Sequence, residues 1–263
     1  MHHLARALAD VATAKGAAFP YGVTARKIES RGGQVTGVAL SDGKTLKCDA
    51  VMFSGDPAAL VAGLPGNAAQ PALPVSPRSL SAHVWTFAAQ PCGPDPALHN
   101  RFFASDPALE LGSIAQGRMA TAPTLYVCAQ DRQSPTRPPG PERFQIILNT
   151  AAKSTPTSGE TDQCRSLTFQ RLAGFGLTFD PTPPDQAHTG PPGFAALFPG
   201  SQGAIYGRSA HGMLASFQRP GARTGLNGLY MAGGGAHPGA GVPMAALSGR
   251  HAAAAIWKDR ALT

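Results

Sequence analysis

The feature that most constrains this chain is the run from Leu229 to Arg250. A short apolar stretch, Leu229-Tyr230-Met231-Ala232, meets Gly233-Gly234-Gly235; after Gly239 and Gly241 the pattern turns helical. The order predicts a buried strand over 228–232, a glycine-rich turn, and a helix over 242–258 with Pro243 suited to its first turn. Main chain without side chains can approach a bulky anionic or electron-rich group. The helix would aim its free N–H groups and the positive end of its dipole into the space enclosed. A group that gains negative charge during a reaction would be stabilised there. The same glycines would also suit a loop that merely turns the chain, and spacing alone leaves both readings open. Dinucleotide cofactors normally need a second glycine-rich turn, and none occurs upstream.

The 263 residues suffice for one large or two small domains with a real core. With 43% apolar and 14% charged residues, disordered and coiled-coil classes are excluded, while 31 Gly and 25 Pro predict many turns. The net charge of +7 comes from scattered Lys and Arg, without runs or interleaved aromatics. No nucleic-acid partner is therefore expected, although the charge suits a face resting on anionic lipid. Cys48, Cys92, Cys128 and Cys164 lie too far apart for zinc-finger spacings. They read as four buried thiols of a reducing compartment, and no metal site is expected. No signal peptide opens the chain, and no apolar run reaches the roughly 18 residues of a membrane-spanning helix. No Ser-His-Asp or paired-carboxylate arrangement follows from the spacing.

Along the chain, Leu4, Ala7, Leu8 and Val11 share one face of a helix predicted over 3–15 and stopped by Gly16. Strands are expected at 20–29 and 34–40 around Arg31-Gly32-Gly33, then at 44–48 after Ser41-Asp42-Gly43. Ala50-Val51-Met52-Phe53 reads as a fully buried strand, Asp56 as an Asx turn and Pro57 as a helix start. The segment 64–78 reads as a linker. Over 79–90 the residues alternate, with Ser81, His83, Trp85, Phe87 and Ala89 on one face; His83 reads as a satisfied sheet histidine. Further strands are expected at 124–129 and 144–150 with an exposed loop at 131–142. A helix at 160–173, a short segment at 175–179 and irregular chain at 180–193 follow. Both chain ends would build a sheet-and-helix part, with a β-rich insert at about 79–215.

The segment Leu229 to Arg250, with His237-Pro238-Gly239-Ala240-Gly241-Val242-Pro243 at its centre, closely resembles the C-terminal flavin motif of the bacterial phytoene desaturase family of FAD-dependent carotenoid desaturases. Tyr21 to Pro57 resembles that family's second FAD-contacting segment. Ser81–Phe87, Thr124–Arg132 and Ala204–Gly212 resemble its 1-hydroxycarotenoid 3,4-desaturase branch, and the likeness runs over about 1–258. Two departures stand out. The family's opening G-x-G-x-x-G unit, which would hold the FAD pyrophosphate, is not in this sequence, so the chain reads as a C-terminal portion. Ala25 also stands where the family carries a larger β-branched residue.

The resemblance implies an α/β fold: part of a glutathione-reductase-type FAD-binding domain lacking its N-terminal half, plus a β-sheet substrate domain. The segments would be 1–63, 64–215 and 216–263. FAD is the implied cofactor, contacted by Ala25, Gly233, Gly234, Gly235, His237, Val242, Pro243 and Met244. The implied substrate is a hydroxy- or methoxy-carotenoid, with Trp85, Phe87, Phe103 and His211 lining its path and the flavin carrying the chemistry. The intact enzyme would sit peripherally on the cytoplasmic face of the inner membrane, with the missing N-terminal half as a partner. Two rivals remain: a truncated fragment that binds nothing, and another flavin oxidoreductase of the amine oxidase superfamily.

Overall fold

A computed structural model describes residues 2–63, 66, 75–133 and 139–261. Most of the expected linker, and the middle of the loop expected at 131–142, lie outside these residues. Helix α1 (His2–Ala14) ends before Gly16. Strands β1 (Ala25–Arg31), β2 (Gln34–Leu40) and β3 (Thr45–Lys47) form an antiparallel meander. Gly32 and Gly33, at φ 59° and 77°, make the tight β1–β2 turn. β1 begins later than expected, because Pro20 and Gly22, the latter at φ 78°, keep 20–24 out of the sheet.

Strand β4 (Val51–Phe53) runs parallel to β11 (Leu229–Met231), with Met52 opposite Tyr230. Parallel neighbours need a long crossover, and here the crossover is most of the chain. β11 is buried throughout. β4 is not, which corrects the expectation of a fully buried strand: Met52 is 41% exposed, because β11 is the only strand beside β4 among the described residues. Helix α6 (Val242–Arg260) closes one face by placing Ala252 and Ala255 against Tyr230 and Ala232. On the other side Leu229 and Met231 pack with Ile28, Val35 and Leu60. Leu60 belongs to helix α2 (Pro57–Val61), whose N-cap Asp56 accepts the Ala58 N–H.

The largest sheet is six-stranded and antiparallel, in the order β10-β5-β8-β7-β6 with β9 also on β5. Its strands are β5 (Ser81–Cys92), β6 (His99–Phe102), β7 (Leu125–Ala129), β8 (Glu142–Thr150), β9 (Thr178–Asp180) and β10 (His188–Thr189). The alternation read in β5 places Ser81, His83, Trp85 and Ala89 inside, with Phe87 half-buried beside them. Helix α4 (Glu160–Gly174) covers this face with Cys164, Thr168 and Leu172. Leu125, Val127, Phe144, Ile146 and Leu148 complete the core.

Several expectations require correction. β6 and helix α3 (Pro107–Ala115) had no expected counterpart. α3 opens with Asp106-Pro107, the same device as Asp56-Pro57: Asp106 Oδ1 accepts the Ala108 and Leu109 N–H groups. The stretch expected to be irregular holds β10 and runs into helix α5 (Pro191–Leu197), because two prolines suit a first helical turn. Glu142, at the end of the expected exposed loop, is fully buried and clamps Arg132, which also holds Asp95 at 2.9 Å. Of the four cysteines only Cys164 is buried; Cys92 is exposed and the other two are half-buried.

Candidate functional site

The turn after β11 is built by close approach of main chain to main chain. Gly233 adopts φ 96°, and a Cβ there would lie 3.0 Å from the Ser54 carbonyl oxygen. A Cβ on Gly235 would collide with Pro57 Cδ, and one on Gly207 would stand 3.2 Å from Gly235 Cα. These glycines are thus required first by the chain's own packing. The turn rests on the β4–α2 junction and lies under the 200–209 segment. Ser248 of α6 locks it: its hydroxyl accepts the Gly233 N–H at 2.8 Å and donates to the Ala245 carbonyl at 2.6 Å.

Helix α6 starts at Gly241, at φ 105°, with no side-chain cap and with open space where a Cβ would stand. Val242, Pro243 and Met244 are exposed in its first turn. Uncapped N–H groups beside exposed apolar side chains fit a planar, electron-rich group laid across the helix end. His237 is exposed, its N–H bound to the Pro220 carbonyl at 2.7 Å and its ring 6.4 Å from that of His251.

Ala25 lines a cavity of about 340 Å³ with Phe53, Gly55, Asp56, Ala59 and Phe198. The β4–α2 junction therefore touches Gly233 and Gly235 on one side and this cavity on the other. The structure brings together Ala25, the junction and the glycine turn. It does not gather the other candidates: Trp85 is sealed in the sheet core, with Phe87 half-buried beside it, while Phe103 (65% exposed) and His211 lie on the surface.

Two arginines that the sequence reading passed over hold this region together. Arg219 is buried and donates to the carbonyls of Tyr206, Gly234 and Arg208 at 3.0, 3.0 and 2.9 Å. Burial holds its guanidinium below the usual arginine range, partly offset by Asp56. Arg78 forms a buried ion pair with Asp56 and donates to the Ser201 carbonyl. No spacing rule marks a lone Arg that bonds to carbonyls, so neither was visible beforehand.

Comparison with known proteins identifies the family. The family described as flavin containing amine oxidoreductase matches residues 1–257. The chain belongs to that family. It is 56% identical to the hydroxyneurosporene desaturase of Cereibacter sphaeroides over 99% of this chain and 53% of that protein. For the hydroxyneurosporene desaturase of Rhodobacter capsulatus the identity is 54%, over 99% of this chain and 53% of the relative. The 1-hydroxycarotenoid 3,4-desaturase of a Flavobacterium species is 25% identical over 95% of this chain and 52% of its own length. The chain spans about half the length of the curated relatives it matches. A crystal structure of an oxidoreductase from Methanosarcina mazei overlaps 92% of this chain and 51% of its own, at 16% identity and a TM-score of 0.49. The fold of this family member is mixed α/β, and its cofactor class is flavin.

Proposed function

We propose that this chain is the C-terminal portion of an FAD-dependent carotenoid desaturase, which dehydrogenates a C–C single bond of a hydroxy- or methoxy-carotenoid. The observation that carries this reading is 56% identity to a hydroxyneurosporene desaturase over 99% of the chain. In this reading residues 1–63 and 216–263 belong to a glutathione-reductase-type FAD domain, and 64–215 form the substrate side.

FAD, when bound, supplies the two-electron oxidation that an unactivated C–C bond requires. The chain's residues position and shield. Gly233, Gly234 and Gly235 let the turn pack low enough for main-chain N–H groups to face the cofactor, with His237 at the rim. The α6 N-terminus favours developing negative charge, while Val242, Pro243 and Met244 offer apolar contact. Ala25 opens the adjoining cavity. Phe103 and His211 offer exposed surface to a long apolar substrate, while Trp85 and Phe87 belong to the sheet core. The pyrophosphate site and a strand beside β4 would come from an N-terminal half, the partner this reading requires.

A lipid-dissolved substrate calls for peripheral contact with the inner face of the cytoplasmic membrane. Among the described residues no helix is long and apolar enough to cross a membrane. The exposed side chains Met213, Leu214 and Phe217 support an interfacial contact.

The test is expression of this chain joined to a family N-terminal half in a host that accumulates hydroxyneurosporene. A more unsaturated product is expected by chromatography; unchanged pigment overturns the assignment. The 263 residues alone are expected to lose flavin on gel filtration. Stoichiometric FAD retained by them would overturn the need for a second half.

A further inference from the structure

The face of β5 that carries the core also carries a polar cluster, away from the glycine turn. His83 on β5 and His188 on β10 stack with ring centroids 5.1 Å apart, and His83 Nδ1 lies 3.0 Å from His188 Nε2. Cys164 of α4 completes a group whose ligand atoms all lie within 4.8 Å of one another. We propose that His83, His188 and Cys164 bind one divalent cation of the zinc class. Around tetrahedral zinc, with bonds of about 2.0 Å to nitrogen and about 2.3 Å to sulfur, donor atoms stand roughly 3.3–3.8 Å apart. Side-chain shifts of about an ångström would bring these three donors to that spacing. Two imidazoles and a thiolate form a borderline-soft set, suited to zinc over magnesium or calcium.

The surroundings orient the rings as a metal site does. Glu160 Oε1 lies 3.5 Å from His83 Nε2 and 2.6 Å from Lys153 Nζ. A carboxylate paired with lysine only accepts, so His83 Nε2 keeps its proton and Nδ1 turns a lone pair toward His188. Thr161 Oγ1 stands 3.4 Å from His188 Nδ1. Without an ion, Thr161 donates to His188 and His188 donates to His83, while the His83 Nε2 proton faces the Glu160 carboxylate without forming a hydrogen bond. When an ion enters, the His188 proton moves from Nε2 to Nδ1, where Thr161 becomes the acceptor. The Cys164 thiol proton leaves to solvent, so one proton is released per ion and no electrons move.

There is also a way in. A cavity of about 280 Å³ is lined by His83, His188, Glu160 and Thr161. Gly190 keeps its inner wall bare: a Cβ there would stand 3.1 Å from His83 Nδ1. Three protein donors and a cavity leave a fourth position for water or a small ligand.

The test uses the 263-residue chain with His2 and His3 changed to Ala, stripped with chelator and titrated with Co²⁺ or Zn²⁺. Expected are one ion per chain by mass spectrometry of the metal, about one proton released per ion, and a thiolate-to-cobalt absorption band. Cys164→Ser should abolish the band. Glu160→Gln leaves every ligand in place, so it guards against mere misfolding; it should weaken binding roughly 10–100-fold. No bound ion, or cobalt bound without the thiolate band, overturns the proposal, as does binding unaffected by Cys164→Ser.

Discussion

Arg219 ties the glycine turn to the 206–208 segment. Its buried guanidinium satisfies the carbonyls of Tyr206, Arg208 and Gly234. These bonds are part-buried, so a carbonyl that loses its donor regains water only in part. Arg219→Met, similar in reach but unable to donate, should destabilise the fold by about 3 kcal/mol, read as a lower midpoint in urea. A midpoint unchanged within error would mean that water replaces the guanidinium freely. Gly235 makes the complementary case. The contact is with the rigid ring of Pro57, which cannot swing aside as a flexible side chain would, so any side chain at 235 must move the turn.

At the scale of elements, α6 is held at both ends by different chemistry. Near its start, Ser248 bonds to Gly233. Near its end, Asp259 accepts from Arg223 at 2.9 and 2.8 Å and from the Tyr230 hydroxyl at 3.0 Å. The Arg223 guanidinium, with help from Tyr230, holds the Asp259 carboxyl below its ordinary 3.8. A depressed carboxyl pKa means that the unfolded chain takes up the proton first. The contribution is therefore full above about pH 4 and is lost as pH falls through the lower folded value. Trp257, exposed two residues away, reports the event. Its fluorescence should shift at acid pH before the sheet core unfolds by circular dichroism, and Asp259→Asn should remove that early step. Coincident transitions in both proteins would show that the helix end is not separately held.

Across the whole molecule, apolar surface is distributed unevenly. The six-stranded sheet has its own closed core under α4, whereas no residue of α1 is buried and Leu8 and Val11 are each 62% exposed. Unpaired apolar faces of this kind promote association. Changing Leu8 and Val11 to Lys should suppress self-association in light scattering. It should shift the denaturation midpoint by no more than about 0.5 kcal/mol, as for surface substitutions elsewhere. A large loss of stability would show that α1 packs on the protein in solution.

Local rules made much of this legible. Helical periodicity marked α1; alternation marked β5; Gly32-Gly33 and Asp42-Gly43 marked the meander turns; and the Leu229–Arg250 run announced strand, turn and helix. Each is written within a dozen or so neighbouring residues, where sterics and burial pattern act. Tertiary structure alone decided what lies far apart in sequence. It set β11 beside β4, placed Pro57 under Gly235, and drew Arg219 onto carbonyls from two segments. It also left Met52 half outside a strand that reads as buried. His83, Cys164 and His188 show the same limit, since cysteine spacing says nothing of donors delivered by two strands and a helix. Propensity is a property of neighbours along the chain; convergence of side chains depends on how the elements dock.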